Sequence, residues 1–315
     1  MHSRVSRGRR RQALGRQRRF LILARVSPDR HNGPTTSRRW GGPGLALVAL
    51  VGTDAAASDA STRYTVEFGH TIAVAWTDFD RAPESFAFSL DPSASADAIA
   101  EFGYSTADLQ SLTNACSFER CAQADLNARE DAYYRDHGLV PTRAGNSVTL
   151  AVDIPAEVHR NAARVRPLAI ELSRLTKANG WGADQQLGAM IALTQTAIPY
   201  KRPPAEDGGR QILGFYPAPR ALEVGSGDCD TKSALIAAVM SNFSASHMVG
   251  VHVPGHYLVG IDRIPQPGQA FIQYRGEPYV LIEAAGPALL PPGTIAPNTQ
   301  AALDSMAGVR IDPLF

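Results

Sequence analysis

Residues 225–240 constrain this chain more than any other stretch. Gly225-Ser-Gly-Asp-Cys-Asp-Thr-Lys-Ser233 leads directly into the apolar run Ala234-Leu-Ile-Ala-Ala-Val-Met240. That pattern is a glycine-rich turn feeding a helix, with Cys229 at the helix start. The periodicity then changes. Met248–Val253 alternates as a strand and Pro254-Gly255 turns the chain. His256–Arg263 reads as a second strand, Phe271–Tyr274 as a third and Tyr279–Glu283 as a fourth,. Arg275-Gly-Glu-Pro278 is a tight connection between the last two,. Helices, then a cysteine-headed helix, then an antiparallel meander predict an α+β fold rather than a doubly wound parallel sheet.

Upstream, Val165, Leu168, Ala169, Leu172 and Leu175 follow the spacing of one helical face, and Lys177-Ala-Asn-Gly180 is a stop signal,. A second helix is expected from Asp184, as its N-cap, through Leu187, Ile191 and Ile198. Residues 201–227 are rich in proline and glycine and read as a long surface loop that shapes a cleft,. Its charges, Lys201, Arg202, Glu206, Asp207 and Arg210, are mixed in sign and point to no single ligand class.

Earlier still, Tyr64, Val66 and Phe68 alternate, as do Ile72, Val74 and Trp76, and Phe86, Phe88 and Leu90, so residues 63–90 read as strands,. Residues 106–135 read as polar helix. Val148, Leu150, Val152 and Ile154 read as a strand stopped by Pro155. The expected organisation is a basic leader over 1–57, a mixed strand and helix segment over 58–155, and a domain over 156–315 that carries the chemistry.

The leader emerges from the charge distribution. Twelve of the 31 bases and one of the 30 acids fall in residues 1–40, which leaves 19 bases against 29 acids in the rest. The body is therefore acidic, and a nucleic-acid partner is not expected. After Ser37-Arg-Arg39 come a short apolar run, Leu45–Val51, and the small residues Ala55-Ala-Ala57. Basic, apolar and small-residue parts in that order are those of a secretory signal, and the paired arginines fit a twin-arginine form loosely. A start near Val26 would give such a signal ordinary length. Export to the periplasm is the expectation, with a cytoplasmic protein carrying a basic tail as the alternative. No apolar run approaches the ~20 residues of a membrane-spanning helix.

The chemistry centres on three residues. Unpaired N–H groups and the positive end of the helix dipole at a helix start favour a thiolate, which makes Cys229 a candidate nucleophile. Its own N–H could face a developing oxyanion. His256 opens a strand, and Glu283 closes another. If those strands are neighbours the two side chains can meet, and Cys229, His256 and Glu283 form the nucleophile, base and orienter of an activated thiol. Asp262 shares strand parity with His256 and is a rival orienter. Asp228 suits the N-cap position. Cys116 and Cys121 are close enough for a local disulfide if the protein is exported, which would leave Cys229 as the free thiol, with two reduced structural cysteines as the alternative,.

His247, His252 and His256 with Cys229 are a set of nitrogen and sulfur donors, but they fall on different sides of a turn and on opposite strand parities, so no metal is expected. Neither a P-loop nor a dinucleotide fingerprint is present, and no cofactor is expected.

Gly-Asp-Cys-Asp-x-Lys-Ser ahead of an apolar helix resembles the nucleophile motif of the bacterial transglutaminase-like, cysteine-peptidase-like superfamily. Gly255-His-Tyr-Leu-Val-Gly-Ile-Asp262 is similar to its histidine strand, and Tyr279-Val-Leu-Ile-Glu-Ala-Ala-Gly286 to its acid strand. Thr194-Gln-Thr-Ala-Ile-Pro-Tyr200 is similar to a stretch found ahead of the cysteine in bacterial members. The resemblance covers about residues 160–290. It implies a papain-like, transglutaminase-like core with the cysteine helix packed on an antiparallel sheet. It also implies acyl transfer by Cys229, His256 and Glu283, and a peptide, protein or cell-wall-derived substrate. By the same analogy Gln195 is a candidate oxyanion donor. Two departures stand out. The acid is Glu283 where Asp is usual, and Tyr-Leu follows His256 where Ala-Trp is common. They keep open a second reading, a peptide- or cell-wall-binding module without catalysis on the same fold.

Overall fold

The computed structural model describes residues 63–145, 147–243 and 247–315. The leader and its signal-like features lie outside them.

Three antiparallel strands open the described chain: β1 (Arg63–Glu67), β2 (Thr71–Thr77) and β3 (Pro83–Ser89), in the order β1-β2-β3. Ile72, Val74 and Trp76 alternate inward on the central strand and are buried,. Phe68 does not continue β1. It sits in the turn at φ 54 and is 89% exposed. Then come α1 (Ala94–Ala100), α2 (Thr106–Glu119), α3 (Gln123–Asp136) and the hairpin β4 (Leu139–Ala144) and β5 (Ser147–Val152). The Ser105 hydroxyl caps α2 by accepting from the Asp108 N–H at 3.1 Å,. Cys116 and Cys121 are disulfide-bonded across its end, their Cα atoms 5.2 Å apart.

The chain then turns helical with α4 (Ile154–Asn161), α5 (Arg166–Ala178) and α6 (Ala183–Thr196). Ile154 begins α4 rather than ending a strand, because Asp153 caps the helix through Ala156 N and Pro155 is tolerated in the first turn,. Likewise Gly182, not Asp184, is the N-cap of α6. The proline-rich region is not one long loop. It contains the two-residue pair β6 (Glu206–Asp207) and β7 (Arg210–Gln211), and a helix, α7 (Ala218–Val224), that Pro217 and Pro219 start rather than break. Two of its charges are spent on the N-terminal segment and on α7. Arg210 donates to the carbonyls of Phe102 and Gly103, and Arg220 on α7 holds Asp207.

Next comes α8 (Cys229–Met240), followed by β8 (Met248–Val253), β9 (His256–Asp262), β10 (Phe271–Tyr274), β11 (Glu277–Ile282), α9 (Pro297–Ser305) and β12 (Arg310–Pro313). The five-stranded sheet is antiparallel, in the order β10-β11-β9-β8-β12. It is not a simple meander, since β11 inserts between β10 and β9. That crossing makes the histidine strand and the acid strand neighbours, with Val259 opposite Ile282. Arg275 (φ 53) and Gly276 (φ 91) give the positive dihedrals that a two-residue hairpin turn requires,.

Ala234 to Met240 are all buried on α8, which packs against the Tyr257, Val259 and Ile261 face of β9. Each fully buried Leu or Ile there contributes about 1.5–3 kcal/mol. Leu258 and Leu281 face the other way, into a second small cluster under α9. The main cluster runs unbroken from Ile72 and Trp76 through Leu187 and Ile191 to Leu235 and Val259, so residues before and after 156 share one core. The architecture is α+β, and among the described residues no helix is long and apolar enough to cross a membrane.

Candidate active site

Cys229 is the first residue of α8 and half-buried, and among the described residues it is the free cysteine. The turn before it is anchored from outside. Tyr200 bridges Gly227 in parallel fashion, and the Lys201 N–H donates to Gly227 O at 3.1 Å. Gly225 ends α7 at φ 68, where a Cβ would press on the Tyr64 ring at 2.8 Å,. The backbone N–H groups of Tyr257 and Asp230 donate toward the Cys229 sulfur. Because Tyr257 directly follows His256, this contact sets the start of α8 against the start of β9.

His256 and Glu283 do meet. The ring Nε2 lies 2.7 Å from Glu283 Oε2, and the Ala285 N–H donates to the other carboxylate oxygen at 3.0 Å. By sequence parity both positions fall with Leu258 and Leu281. They come together at the end of the sheet, at the first residue of β9 and just past the last of β11. Cys229 reaches the same end from the helix side. With Nε2 engaged by the acid, Nδ1 is the ring nitrogen left for a thiol.

The electrostatics of the thiol run against ready ionisation. Burial, then the charges of Asp230 and Asp228, push the Cys229 thiol up to about 12,. Burial and the neighbouring Asp228 hold the Asp230 carboxyl well above the usual carboxylate range,. Asp228 takes the N-cap position with extended backbone, yet its side chain makes no capping hydrogen bond and its buried Oδ1 has no partner among the described residues. Tyr200 stands half-exposed at the same place. Burial and the charges of Cys229, Asp228 and Asp230 raise its hydroxyl to about 12.

Gln195 is not placed as an oxyanion donor. Its amide nitrogen donates to Glu283 O at 2.6 Å and to Leu290 O at 2.9 Å, and its oxygen accepts from Leu290 N at 2.9 Å. Both amide hydrogens are therefore committed to backbone. The side chain instead clamps the turn that follows the acid. Gly286, at φ 63, packs so closely on the Gln195 carbonyl that a Cβ would collide with it.

The rival assignments separate in space. Asp262 faces His247, at 3.6 Å, rather than His256. His252 packs edge-on to the Tyr257 ring. Arg275 lies over the Tyr274 ring. The three histidines do not converge, and among the described residues no group of three or more His, Cys, Asp or Glu side chains is placed to hold a metal ion.

One site neighbour enters the sequence reading only as the lysine position of the cysteine motif, with no role attached. Lys232, three residues after Cys229, is 1% exposed, and its ammonium donates to Ile198 O at 2.9 Å and Ala285 O at 2.6 Å. Burial lowers it to about 7 against the pull of Glu283. Its signal is that motif position, together with its being the lone cation of α8 just ahead of the apolar run Ala234–Met240.

Comparison with protein-family models, with curated proteins and with solved structures finds no match.

Proposed function

We infer that this chain is a cysteine-nucleophile acyl-transfer enzyme of papain-like, transglutaminase-like type. The observation that carries the reading is the 2.7 Å His256–Glu283 pair at the end of the sheet where Cys229 begins its helix. In the reaction the Cys229 sulfur attacks an amide or ester carbonyl while its proton passes to His256. The resting thiol is protonated, so the transfer accompanies attack rather than preceding it. Glu283 holds the ring tautomer and stabilises the imidazolium. The Cys229 N–H, at the first helical position, has no acceptor inside the helix and is directed to the developing oxyanion. The protonated His256 then gives its proton to the departing amine or alcohol. Water attacking the thioester gives a peptidase or amidase, and a primary amine gives a cross-linker. The substrate class is a peptide, a protein or a cell-wall strand. Export to the periplasm belongs to the same reading, supported by the Cys116–Cys121 disulfide, a bond that persists in oxidising compartments,.

A second reading has its own observation. The elevated, half-buried Cys229 thiol suits a module that holds a peptide or cell-wall strand in the cleft without catalysis. Alkylation by iodoacetamide at pH 7, followed by intact mass, separates the two. An enzyme in which His256 takes the proton as the thiol attacks loses at least tenfold of its Cys229 alkylation rate in Glu283→Gln, whatever its rate beside that of an exposed free cysteine. A rate unchanged by Glu283→Gln refutes acyl transfer and leaves the binding module.

A further inference from the structure

Lys232 carries a burden that volume filling does not explain. An ammonium 1% exposed and without a directly bonded carboxylate is costly, and a methionine would occupy the same space without that cost,. Its two acceptors lie on different segments, and both segments belong to the site. Ile198 is two residues before Tyr200, which bridges the turn entering Cys229. Ala285 is two residues after Glu283 and donates its N–H to the Glu283 carboxylate.

These bonds form one chain. Lys232 Nζ donates to Ala285 O at 2.6 Å, Ala285 N donates to Glu283 Oε1 at 3.0 Å, and Glu283 Oε2 meets His256 Nε2 at 2.7 Å. The chain begins on the helix that carries the nucleophile, one turn from Cys229, and ends on the base. Gln195 grips the same turn from α6, but it does not touch α8 in this way. We propose that Lys232 is a positioning residue that ties the acid turn to the cysteine helix and so sets where Glu283, and through it His256, stands relative to Cys229. The inference rests on the acyl-transfer reading and deepens it. Lys232 touches no reacting atom and acts only through Glu283.

The test is a double-mutant cycle read by iodoacetamide alkylation of Cys229 between pH 5 and 9, in the full chain. Folding is checked by circular dichroism. Lys232→Met is expected to slow alkylation at pH 7 about tenfold and to move the midpoint of the pH–rate profile in the same direction as Glu283→Gln. The double variant is expected to be no slower than Glu283→Gln alone, within about threefold, because residues acting in series do not add. If Lys232→Met does not fold, Lys232→Gln takes its place. The shorter amide keeps donors but cannot reach both carbonyls, and the same non-additivity is expected. Full additivity, or an unchanged pH profile in a folded Lys232 variant, overturns the proposal and makes the lysine structural. A response to Glu283→Gln with none to Lys232→Met sinks the positioning role alone. No response to Glu283→Gln takes down the acyl-transfer reading as well.

Discussion

Replacing Gln195 with methionine separates a clamp from an oxyanion donor. Methionine is close in size and apolar, so the volume is kept and three hydrogen bonds are removed. The groups left behind are Glu283 O, Leu290 O and Leu290 N, which Gln195 meets at 2.6, 2.9 and 2.9 Å from a side chain 1% exposed. Each buried polar group without a partner costs about 1–3 kcal/mol, and the 283–290 turn can relax enough to recover part of that. A loss of about 3–6 kcal/mol is expected, a large share of the roughly 5–15 kcal/mol that holds a domain folded. Guanidinium unfolding followed by far-ultraviolet circular dichroism measures it, with the slope constant so that the midpoint reports stability. An oxyanion donor would behave in the opposite way, with turnover falling and the midpoint unmoved. A loss below about 1 kcal/mol refutes the clamp, since it is less than one unsatisfied buried group costs.

Two further outcomes follow from the same region. Lys232 is lowered from 10.5 to about 7, so between those values the unfolded chain binds more protons than the folded one and stability rises with pH,. From pH 7 to 8.5, below most of the thiol and tyrosine titrations, that group contributes a rise on the order of 1–2 kcal/mol,. Urea midpoints at the two pH values should show this rise, and Lys232→Met should abolish it; an equal rise in the variant would assign it elsewhere. Gly286→Ala places a methyl group against the Gln195 carbonyl, whereas Gly180, at a similar φ of 66, has open space around it. Gly180→Ala should lose only about 1–2 kcal/mol of left-handed strain, while Gly286→Ala should lose more and also slow alkylation of Cys229. Equal losses measured by thermal unfolding would mean the turn accommodates the methyl freely.

What could be read in advance depended on how local the determining physics was. The cysteine helix was legible because Ala234–Met240 is apolar throughout and a glycine turn precedes it. The tight hairpin at Arg275-Gly276 was legible because a short connection names its own turn. α7 was not, because Pro217 and Pro219 look like breakers when the residues after them are not known to be helical. β12 and the placing of β11 beside β9 are set by distant pairing, which no local pattern carries. At the site the same division holds. Cys229, His256 and Glu283 stood out by type and order, and the pairing of the last two follows from the strand crossing. The work of Gln195 and Lys232 is invisible along the chain, since their partners are backbone carbonyls up to 95 residues away and a carbonyl has no sequence signature.

The unbroken core has a consequence for heredity and for engineering. Ile72 and Trp76 pack in the same cluster as the helices beneath the cysteine, and the Tyr64 hydroxyl donates to Leu222 O at 2.5 Å, just ahead of the Gly225 turn. The first ninety-odd described residues are therefore not an attachment that a lineage could shed or trade while keeping the rest. A chimera that grafts residues 156–315 onto a foreign N-terminal partner must also supply a matching apolar sheet, or the graft will stick to itself. Change on either side of residue 156 is thus chained to change on the other, and the two halves are expected to drift in step.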